Sequence, residues 1–415
     1  MHVIIVSAVF PPEPVVSAQT SDQIAQELLK QGHDVTVITS FPNRPGGKQY
    51  PGFSCQLFQH KKVSETFELI RCFSLFSSKS RLISRFLENV SFGMTSGWVG
   101  LTSKRADVIY ANTWPIFATG ILFLISKLRR IPMVISVQDV YPESLISQKR
   151  IRASGKAAKS LRWMDSIISR KARSIIVISE RFAEIYCADR NVPKNMVHVV
   201  PNWVEQYFIV SHDRMNQIRM KHGIPSESFL VVYGGNIGMG AGVETLINSF
   251  DKLREFKNLY LLIAGNGSNL LACRTLAGKY FTNRILFHTP WSIEETSLVL
   301  SAADIFILPT RGDQSLVSVP SKLISYMLAE RPIIALALAK SDITNIIKCS
   351  GCGWIVPPDR PDLLAEKIKD VMRLEATDML HYGQSGREFA IHNFTREVCL
   401  PKVIDIIKKA AGKLN

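Results

Sequence analysis

The sequence has no long apolar run and no internal repeat. Few of its cysteines are spaced closely enough to form a pair. Its longest apolar stretch, residues 114–125, is well short of the roughly 20 residues that a membrane-spanning helix needs. Its apolar start, residues 1–10, lacks the basic segment and small-residue cleavage site of a secretory signal, and predicts a first β-strand. One Cys-x-x-Cys pair, Cys349 and Cys352, has no second pair to complete a zinc site. These absences favour a cytoplasmic protein.

Acidic residues are scarce relative to basic ones, 35 against 50, which gives a formal net charge of +15. Lys149 and Arg173 bound a segment with nine basic residues and one acid, Asp165. Apolar residues recur within it at roughly helical spacing. The pattern predicts a basic amphipathic helix, which is either a solvated surface or a docking face for an anionic membrane. No nucleic-acid-binding motif accompanies the charge, so nucleic acid is not an expected partner.

The chain is too long, at 415 residues, for one ordinary core, and two domains are expected. Strand and helix patterns alternate throughout, with a first helix predicted over residues 21–30. Strands separated by helices indicate parallel sheets covered on both faces. A break near residues 203–225 separates two such series. The predicted fold class is therefore α/β, with two doubly wound, Rossmann-like domains.

Two strand–loop–helix patterns in the second half are suited to an anion. The first opens into a loop with five glycines between Gly234 and Gly242, and the second leads from Ile307 to a helix that begins near Pro320. Each loop can offer free backbone N–H groups and a positive helix end. Ligands of open parallel sheets bind beyond the carboxyl ends of the strands. The two patterns together predict a pocket for a nucleoside diphosphate.

Short motifs recur in these and other loops nearly from end to end of the chain. They are Phe10-Pro-Pro-Glu13, Gly32-His-Asp-Val-Thr36, Gln138-Asp-Val-Tyr-Pro-Glu-Ser144, Val200-Pro-Asn202, Gly234-Gly-Asn-Ile-Gly238, Ile263-Ala-Gly-Asn-Gly267, Ala302-Ala-Asp-Ile-Phe306, Pro320-Ser-Lys-Leu323 and Gly351-Cys-Gly-Trp354. In this order and spacing the chain resembles the glycosyltransferases of family 4. The branch it resembles builds bacterial O-antigen, capsule and colanic-acid-type polysaccharides.

The resemblance implies a GT-B fold, in which two Rossmann-like domains face each other across a cleft. The expected parts are an acceptor-binding domain over residues 1–205, a donor-binding domain over 206–390, and a final helix over 391–415 that returns to the first domain. The implied reaction transfers a sugar from a UDP- or GDP-sugar with retention at the anomeric carbon, without metal or cofactor. The implied acceptor is a saccharide on a polyprenyl diphosphate, at the inner face of the plasma membrane.

The chain departs from the family pattern at the positions that usually grip the diphosphate. Asn236 and Ala241 stand where many members carry an arginine and a lysine, and Gln314 and Lys322 stand where many carry two glutamates. Lys322 follows the predicted helix start, a position that disfavours a cation unless an anion is shared there. Lys322 is therefore the expected diphosphate clamp, with an outward-pointing lysine as the alternative. Arg311 is a second candidate clamp or a plain surface arginine.

Further donor-binding residues are expected in the loops of the second half and at the domain junction. The phosphates are placed along the glycine loop and the base near Thr289 and Trp291. The expected contacts are Asn202, Gly235, Asn236, Gly238, Gly242, Gly265, Thr289, Trp291, Gln314, Ser318, Ser321 and Leu323.

Acceptor chemistry is expected in the first half. Asp139 follows a strand, where it could orient the acceptor hydroxyl or take its proton, or cap the next turn. Glu143 either contacts substrate or pairs with a basic residue. Glu13 and Ser17 are placed in the loop after the first strand, as acceptor contacts. Two other functions stay open: a sugar-nucleotide-binding paralogue without activity, and a nucleotide-sugar 2-epimerase.

Overall fold

The computed structural model describes residues 1–44, 47–54, 56–76, 82–112, 116–147, 150–204, 215–280, 283–292, 294–316 and 321–412. The chain divides into two compact units, Met1–Asn202 with Glu397–Asn415, and Trp203–Arg396. Three residues named in the sequence-based predictions, Lys149, Ser318 and Pro320, lie outside the described residues.

The described strands of the first unit form an eight-stranded sheet in the order β3-β4-β2-β1-β5-β6-β7-β8. All neighbours are parallel except β3, which pairs antiparallel with β4. The strands are β1 (His2–Ser7), β2 (Asp34–Ser40), β3 (Phe58–Lys62), β4 (Phe67–Cys72), β5 (Val108–Asn112), β6 (Met133–Val137), β7 (Ser174–Val177) and β8 (Val197–Val199).

Helices connect these strands, and the last helix of the chain joins this unit. They are α1 (Val16–Lys30), α2 (Leu82–Thr102), α3 (Ile116–Arg129), α4 (Glu143–Ser147), α5 (Lys156–Lys171), α6 (Glu180–Glu184) and α15 (Arg396–Ala410). The α1 helix begins earlier than the predicted start at residue 21, which places Ser17 on a helix and not in the loop after β1. The β3–β4 hairpin was not predicted.

The second unit carries a six-stranded parallel sheet in the order β11-β10-β9-β12-β13-β14. Its strands are β9 (Phe229–Gly234), β10 (Leu259–Ala264), β11 (Ile285–His288), β12 (Ile305–Leu308), β13 (Ile333–Leu336) and β14 (Gly353–Val356). Its helices are α7 (Met215–Lys221), α8 (Val243–Asp251), α9 (Leu270–Gly278), α10 (Thr296–Ser301), α11 (Lys322–Leu328), α12 (Asp342–Ser350), α13 (Pro361–Val371) and α14 (Ala376–Phe394).

Both faces of this second sheet are covered, as its continuous apolar strands require. In β9, Leu230 and Val232 pack into one core cluster, whereas Val231 and Tyr233 pack into the cluster on the opposite face. Successive side chains of a strand point to opposite faces, so a strand buried on both sides is apolar at every position. The predicted α/β class with two doubly wound sheets is confirmed.

The strand orders locate the places where ligands of such sheets bind. In the second unit the order reverses between β9 and β12, and in the first unit between β1 and β5. Loops on either side of such a reversal diverge and leave a crevice at the carboxyl edge of the sheet. Among the described residues, no helix combines the length and the apolarity that crossing a bilayer requires.

Candidate active site

Lys322 is the first residue of α11, and its side chain reaches the carboxyl end of β9. Its Nζ donates a hydrogen bond to Tyr233 Oη at 2.8 Å and lies 4.5 Å from the centre of the Tyr233 ring. No carboxylate of the described residues pairs with it, and burial lowers the pKa of Lys322 to about 8. A half-buried cation without a counter-ion is costly unless an anion joins it.

Tyr233 holds this lysine in place and was not found from the sequence. It is completely buried, and its hydroxyl donates to the carbonyl oxygen of Asn236 at 2.7 Å while it accepts from Lys322. Burial raises the pKa of Tyr233 well above its usual value, so the hydroxyl keeps its proton. An aromatic residue at a strand end beside glycines is the one sequence signal that could have indicated it.

The glycine loop passes close to Lys322 because glycine permits a close approach of backbones. Gly265, with a φ of +134°, lies so near the loop that a Cβ on it would be 1.9 Å from the carbonyl oxygen of Gly235. A Cβ on Gly235, where φ is +152°, would lie 3.2 Å from Lys322 Nζ. Both positions have a φ that side chains rarely adopt; Gly265 also leaves no room for a side chain, whereas the close neighbour of Gly235 is the flexible end of Lys322. The structure therefore brings together Gly235, Gly265 and Lys322, as the sequence-based site requires.

The loop after β12 meets the far end of the glycine loop. Gly242, with a φ of +69°, precedes α8, and a Cβ on it would lie 3.1 Å from the carbonyl oxygen of Thr310. Gln314 approaches the same loop, since a Cβ on Gly240 would lie 3.5 Å from its side-chain amide. Asn236 and Gly238 are neighbours, with Asn236 exposed. Asn236, Gly238, Gly240 and Gly242 of the glycine loop, with Thr310 and Gln314 of the loop after β12, therefore form one edge, here called the rim.

Arg311 lies at this rim but points to a carboxylate of the protein. Its Nη1 is 3.6 Å from Glu244 Oε1, and both side chains are partly exposed. Glu244 also accepts a hydrogen bond from Asn269 Nδ2 at 2.6 Å. Arg311 thus differs from Lys322, because its charge already has a partner.

Two predicted donor contacts have packing roles. The side chain of Leu323 is completely buried in the core, so only its backbone could meet a ligand. The ring of Trp291 packs against Gly234, where a Cβ would lie 2.9 Å from Cη2. Its Nε1 is buried without a hydrogen-bond partner among the described residues. Burial therefore corrects the predicted side-chain contact of Leu323, whereas Trp291 is only partly buried and stays a predicted donor contact.

The remaining predicted donor contacts are not tested by the structure and stay predictions. Thr289 follows β11 and is half-buried, and Ser321 precedes α11 without a side-chain hydrogen bond to that helix. Asn202 is half-buried and is the last residue of the Met1–Asn202 segment of the first unit. Ser318 lies outside the described residues.

Asp139 follows β6 in the first unit and lines a cavity of about 560 Å³. Its carboxyl has no hydrogen-bond partner among the described residues, and burial raises its pKa to about 6. Gln138, beside it, donates to Ser136 Oγ at 3.2 Å. A carboxyl group with a raised pKa in a cavity can accept a proton from a bound hydroxyl near neutral pH.

Glu13 is structural, which corrects its predicted contact with the acceptor. Its side chain is buried, and its two oxygens accept hydrogen bonds from the backbone N–H groups of Phe10, Asn43 and Arg44 at 3.2, 2.9 and 2.8 Å. It joins the loops after β1 and β2, and its carboxylate is fully used. Ser17, on α1, has its carbonyl oxygen 3.4 Å from Asn112 Nδ2, at the reversal of the strand order.

Glu143 is also structural: of its two predicted roles, the structure shows the pairing with basic residues, and this corrects the assignment to acceptor binding. Its Oε1 accepts from Arg162 Nε at 3.1 Å and its Oε2 from Arg190 Nη2 at 2.6 Å. Arg190 is completely buried and also donates to Asp165 Oδ2 at 2.9 Å. The single acid of the basic segment thus pairs with a buried arginine. Glu143 balances that buried charge and does not line the cavity.

The described part of the chain contains no group of three or more histidine, cysteine, aspartate or glutamate residues that could hold a metal ion.

Family models match both halves of the chain. A model described as a glycosyl transferase 4-like domain matches residues 17–203, and one described as glycosyl transferases group 1 matches residues 214–389. The chain therefore belongs to the glycosyltransferases of family 4 with the GT-B fold, which confirms the predicted family. It is a glycosyltransferase related to those of polysaccharide biosynthesis.

Known proteins agree with this assignment. The chain is 26% identical to WbjE of Pseudomonas aeruginosa, described as a probable glycosyltransferase, over 79% of this chain and 80% of WbjE. It is 20% identical to WcaI of Escherichia coli, which is assigned to colanic acid biosynthesis, over 98% and 100% of the two chains. The solved structure of HepE from Anabaena in complex with UDP-glucose has the same fold, with a TM-score of 0.71 at 13% identity over 100% of both chains.

Glu143→Ala is expected to lower the free energy of unfolding by about 3 kcal/mol, because it leaves buried Arg190 with one carboxylate instead of two. The matched control is Glu184→Ala, which removes an exposed carboxylate that pairs with Arg181 and should cost less than about 0.5 kcal/mol. Urea unfolding of both variants measures the difference. An unchanged stability with impaired transfer would return Glu143 to the acceptor site.

Proposed function

We propose that the chain transfers a sugar from a nucleoside-diphosphate donor to a saccharide on a polyprenyl diphosphate, in the synthesis of a bacterial surface polysaccharide. The proposal includes retention at the anomeric carbon and no need for metal or cofactor. The observation that carries it is Lys322, a half-buried cation without a carboxylate partner among the described residues, beside the close-packed backbones of Gly235 and Gly265.

Lys322 supplies the positive charge that the leaving group needs. When the anomeric carbon–oxygen bond breaks, its electron pair leaves with the diphosphate, and a nearby cation in a site of low polarity stabilises that charge. Many relatives carry a glutamate at the position of Lys322. They carry an arginine and a lysine at the positions of Asn236 and Ala241. We infer that the cation has moved from the glycine loop to α11.

Asp139 is the proposed partner of the acceptor. Its carboxylate orients the attacking hydroxyl and takes its proton as the new bond forms on the face that the diphosphate leaves. Of the two donor classes, the complex of HepE with UDP-glucose favours UDP.

We also propose that the first unit docks on the inner face of the plasma membrane. Exposed apolar residues recur along one side of α2, here called the α2 stripe: Ile83, Leu87, Met94, Trp98 and Leu101. Trp98 is 60% exposed, and Trp163 on α5 is 64% exposed among exposed basic residues. The acids of α2, α3 and α5 are Glu88 and Asp165, and both pair with arginine. Apolar and basic side chains without free acids favour an anionic lipid surface.

The donor is tested by thermal unfolding of the full chain with UDP, GDP, their sugars and UMP, with and without EDTA. We expect selective stabilisation by one nucleoside diphosphate over its monophosphate, by about 2.7 kcal/mol at a hundredfold excess over Kd, unchanged by EDTA. Lys322→Ala should remove the preference for the diphosphate while the fold is kept. Stabilisation without transfer or donor hydrolysis would contradict the proposal and favour a binding-only protein.

The pH dependence of kcat/KM should be bell-shaped. Asp139 loses its ability to accept a proton as the pH falls through about 6, and Lys322 loses its charge as the pH rises through about 8. Lys322→Arg should move the alkaline limb upward, since arginine stays charged. Asp139→Asn should lower the rate by on the order of a hundredfold at the pH optimum and remove the acidic limb, because no carboxylate is left to titrate there. An alkaline limb that stays near 8 in Lys322→Arg would assign that limb to another group.

Membrane docking is tested by co-sedimentation with vesicles of phosphatidylcholine, with and without phosphatidylglycerol. Trp98→Glu is expected to weaken binding to the anionic vesicles by about tenfold, because it places a negative charge in the α2 stripe. Leu271→Glu is the matched control, since Leu271 is 79% exposed on α9 of the second unit. Equal binding of both variants would remove the α2 stripe from the docking face.

A further inference from the structure

The end of β9 is hydrogen-bonded to its two neighbouring strands over different lengths. On the side of β10, Gly235 N still donates to the carbonyl oxygen of Ala264 at 2.9 Å. On the side of β12, the paired register ends where Val232 lies opposite Phe306. A parallel strand bonds to its two neighbours at alternate residues. Gly234, two residues after Val232, therefore directs its backbone N–H and C=O groups toward β12, beyond the last paired residues.

The hydroxyl of Tyr326 makes the two bonds that β12 does not make. It donates to the carbonyl oxygen of Gly234 at 2.9 Å and accepts from the N–H of Gly234 at 2.8 Å. Both residues are buried, where an unpaired backbone group would be costly. The Tyr326 ring also stacks on Phe306 of β12, with ring centres 4.2 Å apart and ring planes 10° apart. One side chain of α11 is thus joined to both β9 and β12.

Tyr326 and Lys322 lie on the same face of α11, because they are four residues apart, about one helical turn. Tyr326 bonds to Gly234, while Lys322 Nζ bonds to Tyr233 Oη at 2.8 Å. Lys322 Nζ also lies 3.2 Å from the place that a Cβ on Gly235 would take. Three consecutive residues at the end of β9 therefore meet one face of α11. These contacts are here called the α11 brace.

We propose that Tyr326 is a positioning residue of the donor site, which fixes α11 on the end of β9 and so holds Lys322 beside the glycine loop before a ligand binds. A lysine side chain is long and flexible. An ammonium group that is already held in place loses less freedom when it meets a diphosphate, so binding is tighter. Tyr326 acts through Lys322 and has no role in the bond-breaking step.

The inference rests on the proposed function only where it makes a diphosphate the ligand of Lys322. The placement of Lys322 by Tyr326 is a property of the free protein. The rival role for the Tyr326 hydroxyl is purely structural: it would satisfy the backbone of Gly234 and have no effect on Lys322. The two roles differ in what happens to the Lys322 amine when the hydroxyl is removed.

Tyr326→Phe removes the hydroxyl and keeps the ring that stacks on Phe306. Acetylation of the full chain by acetic anhydride over a range of pH, followed by mass spectrometry, gives the pKa of the Lys322 amine without any ligand. Burial lowers this pKa to about 8 in the unaltered chain. In Tyr326→Phe it should rise toward its ordinary value of 10.5, because a helix that is no longer fixed lets the amine reach water.

Calorimetry with UDP and UMP tests the link to the donor site. Tyr326→Phe should weaken UDP binding by about tenfold and UMP binding by less than about threefold, because only the diphosphate uses a preplaced cation. Tyr110→Phe is the matched control, since Tyr110 is also a buried tyrosine with a hydrogen-bonded hydroxyl but lies on β5 of the first unit. It should lower the thermal stability and leave both the Lys322 pKa and the preference for UDP unchanged.

Tyr233→Phe tests the same inference if Tyr326→Phe does not fold. It frees only the carbonyl oxygen of Asn236, an exposed residue that water can reach. With Tyr326 still holding α11, the amine stays buried and loses its hydrogen bond to Tyr233 Oη. The pKa of Lys322 should then fall below 8, since a bond to the charged form is lost. A rise in this variant would show that α11 does not hold the amine, and would overturn the inference.

Two results with Tyr326→Phe would also overturn it. A Lys322 pKa that stays at its unaltered value, with a loss of stability like that of Tyr110→Phe, would make Tyr326 purely structural. An unchanged preference for UDP over UMP would separate Tyr326 from the donor site. If UDP does not bind the unaltered chain, the proposed function fails by itself, and the acetylation result still decides whether Tyr326 places Lys322.

Discussion

The parallel pairing of β9 with β10 and β12 is the constraint on which the site of the second unit depends. Gly234 lies opposite Ala264, and Val231 and Val232 lie opposite Ile305 and Phe306, so the three strands end at one edge of the sheet. The loops that follow these strands must then lie close together, and glycine residues permit this close approach of backbones. Lys322 enters the same space from α11, and the tyrosine that steadies it is part of β9 itself.

In the first unit, the partners of each acidic side chain indicate whether it has a structural or a chemical role. Glu13 and Glu143 satisfy their carboxylates with backbone N–H groups and with arginines, as buried acids require. Asp139 has no such partner among the described residues, and its charge is the one left to meet a ligand. The same reasoning separates Lys322 from Arg311 in the second unit. The proposed reactive groups are the ones that the fold leaves incompletely satisfied.

The sequence predicted the fold class and the loops of the site because both depend on local patterns. Apolar strands alternate with amphipathic helices, and glycines mark where a loop must pass close to something. The acceptor roles assigned to Glu13 and Glu143 failed because of residues far apart in the chain. The backbone N–H groups of Asn43 and Arg44 donate to Glu13, and Arg190 pairs with Glu143, a pairing that was the predicted alternative. Tyr233 was missed for the same reason, since a residue in an apolar strand gives no sign of the polar groups it will face.

The charge of Lys322, which pairs with no carboxylate among the described residues, also affects the release of product under the proposed function. Once the sugar has left, the oxygen that was esterified to it is ionised, so the spent nucleotide is more negative than the donor. A cation without a protein counter-ion attracts this product at least as strongly as it attracted the substrate. Under the proposed function, this attraction slows the release of the spent nucleotide, a step that limits turnover in many enzymes. The output of this enzyme would depend on how quickly its surroundings clear nucleoside diphosphate.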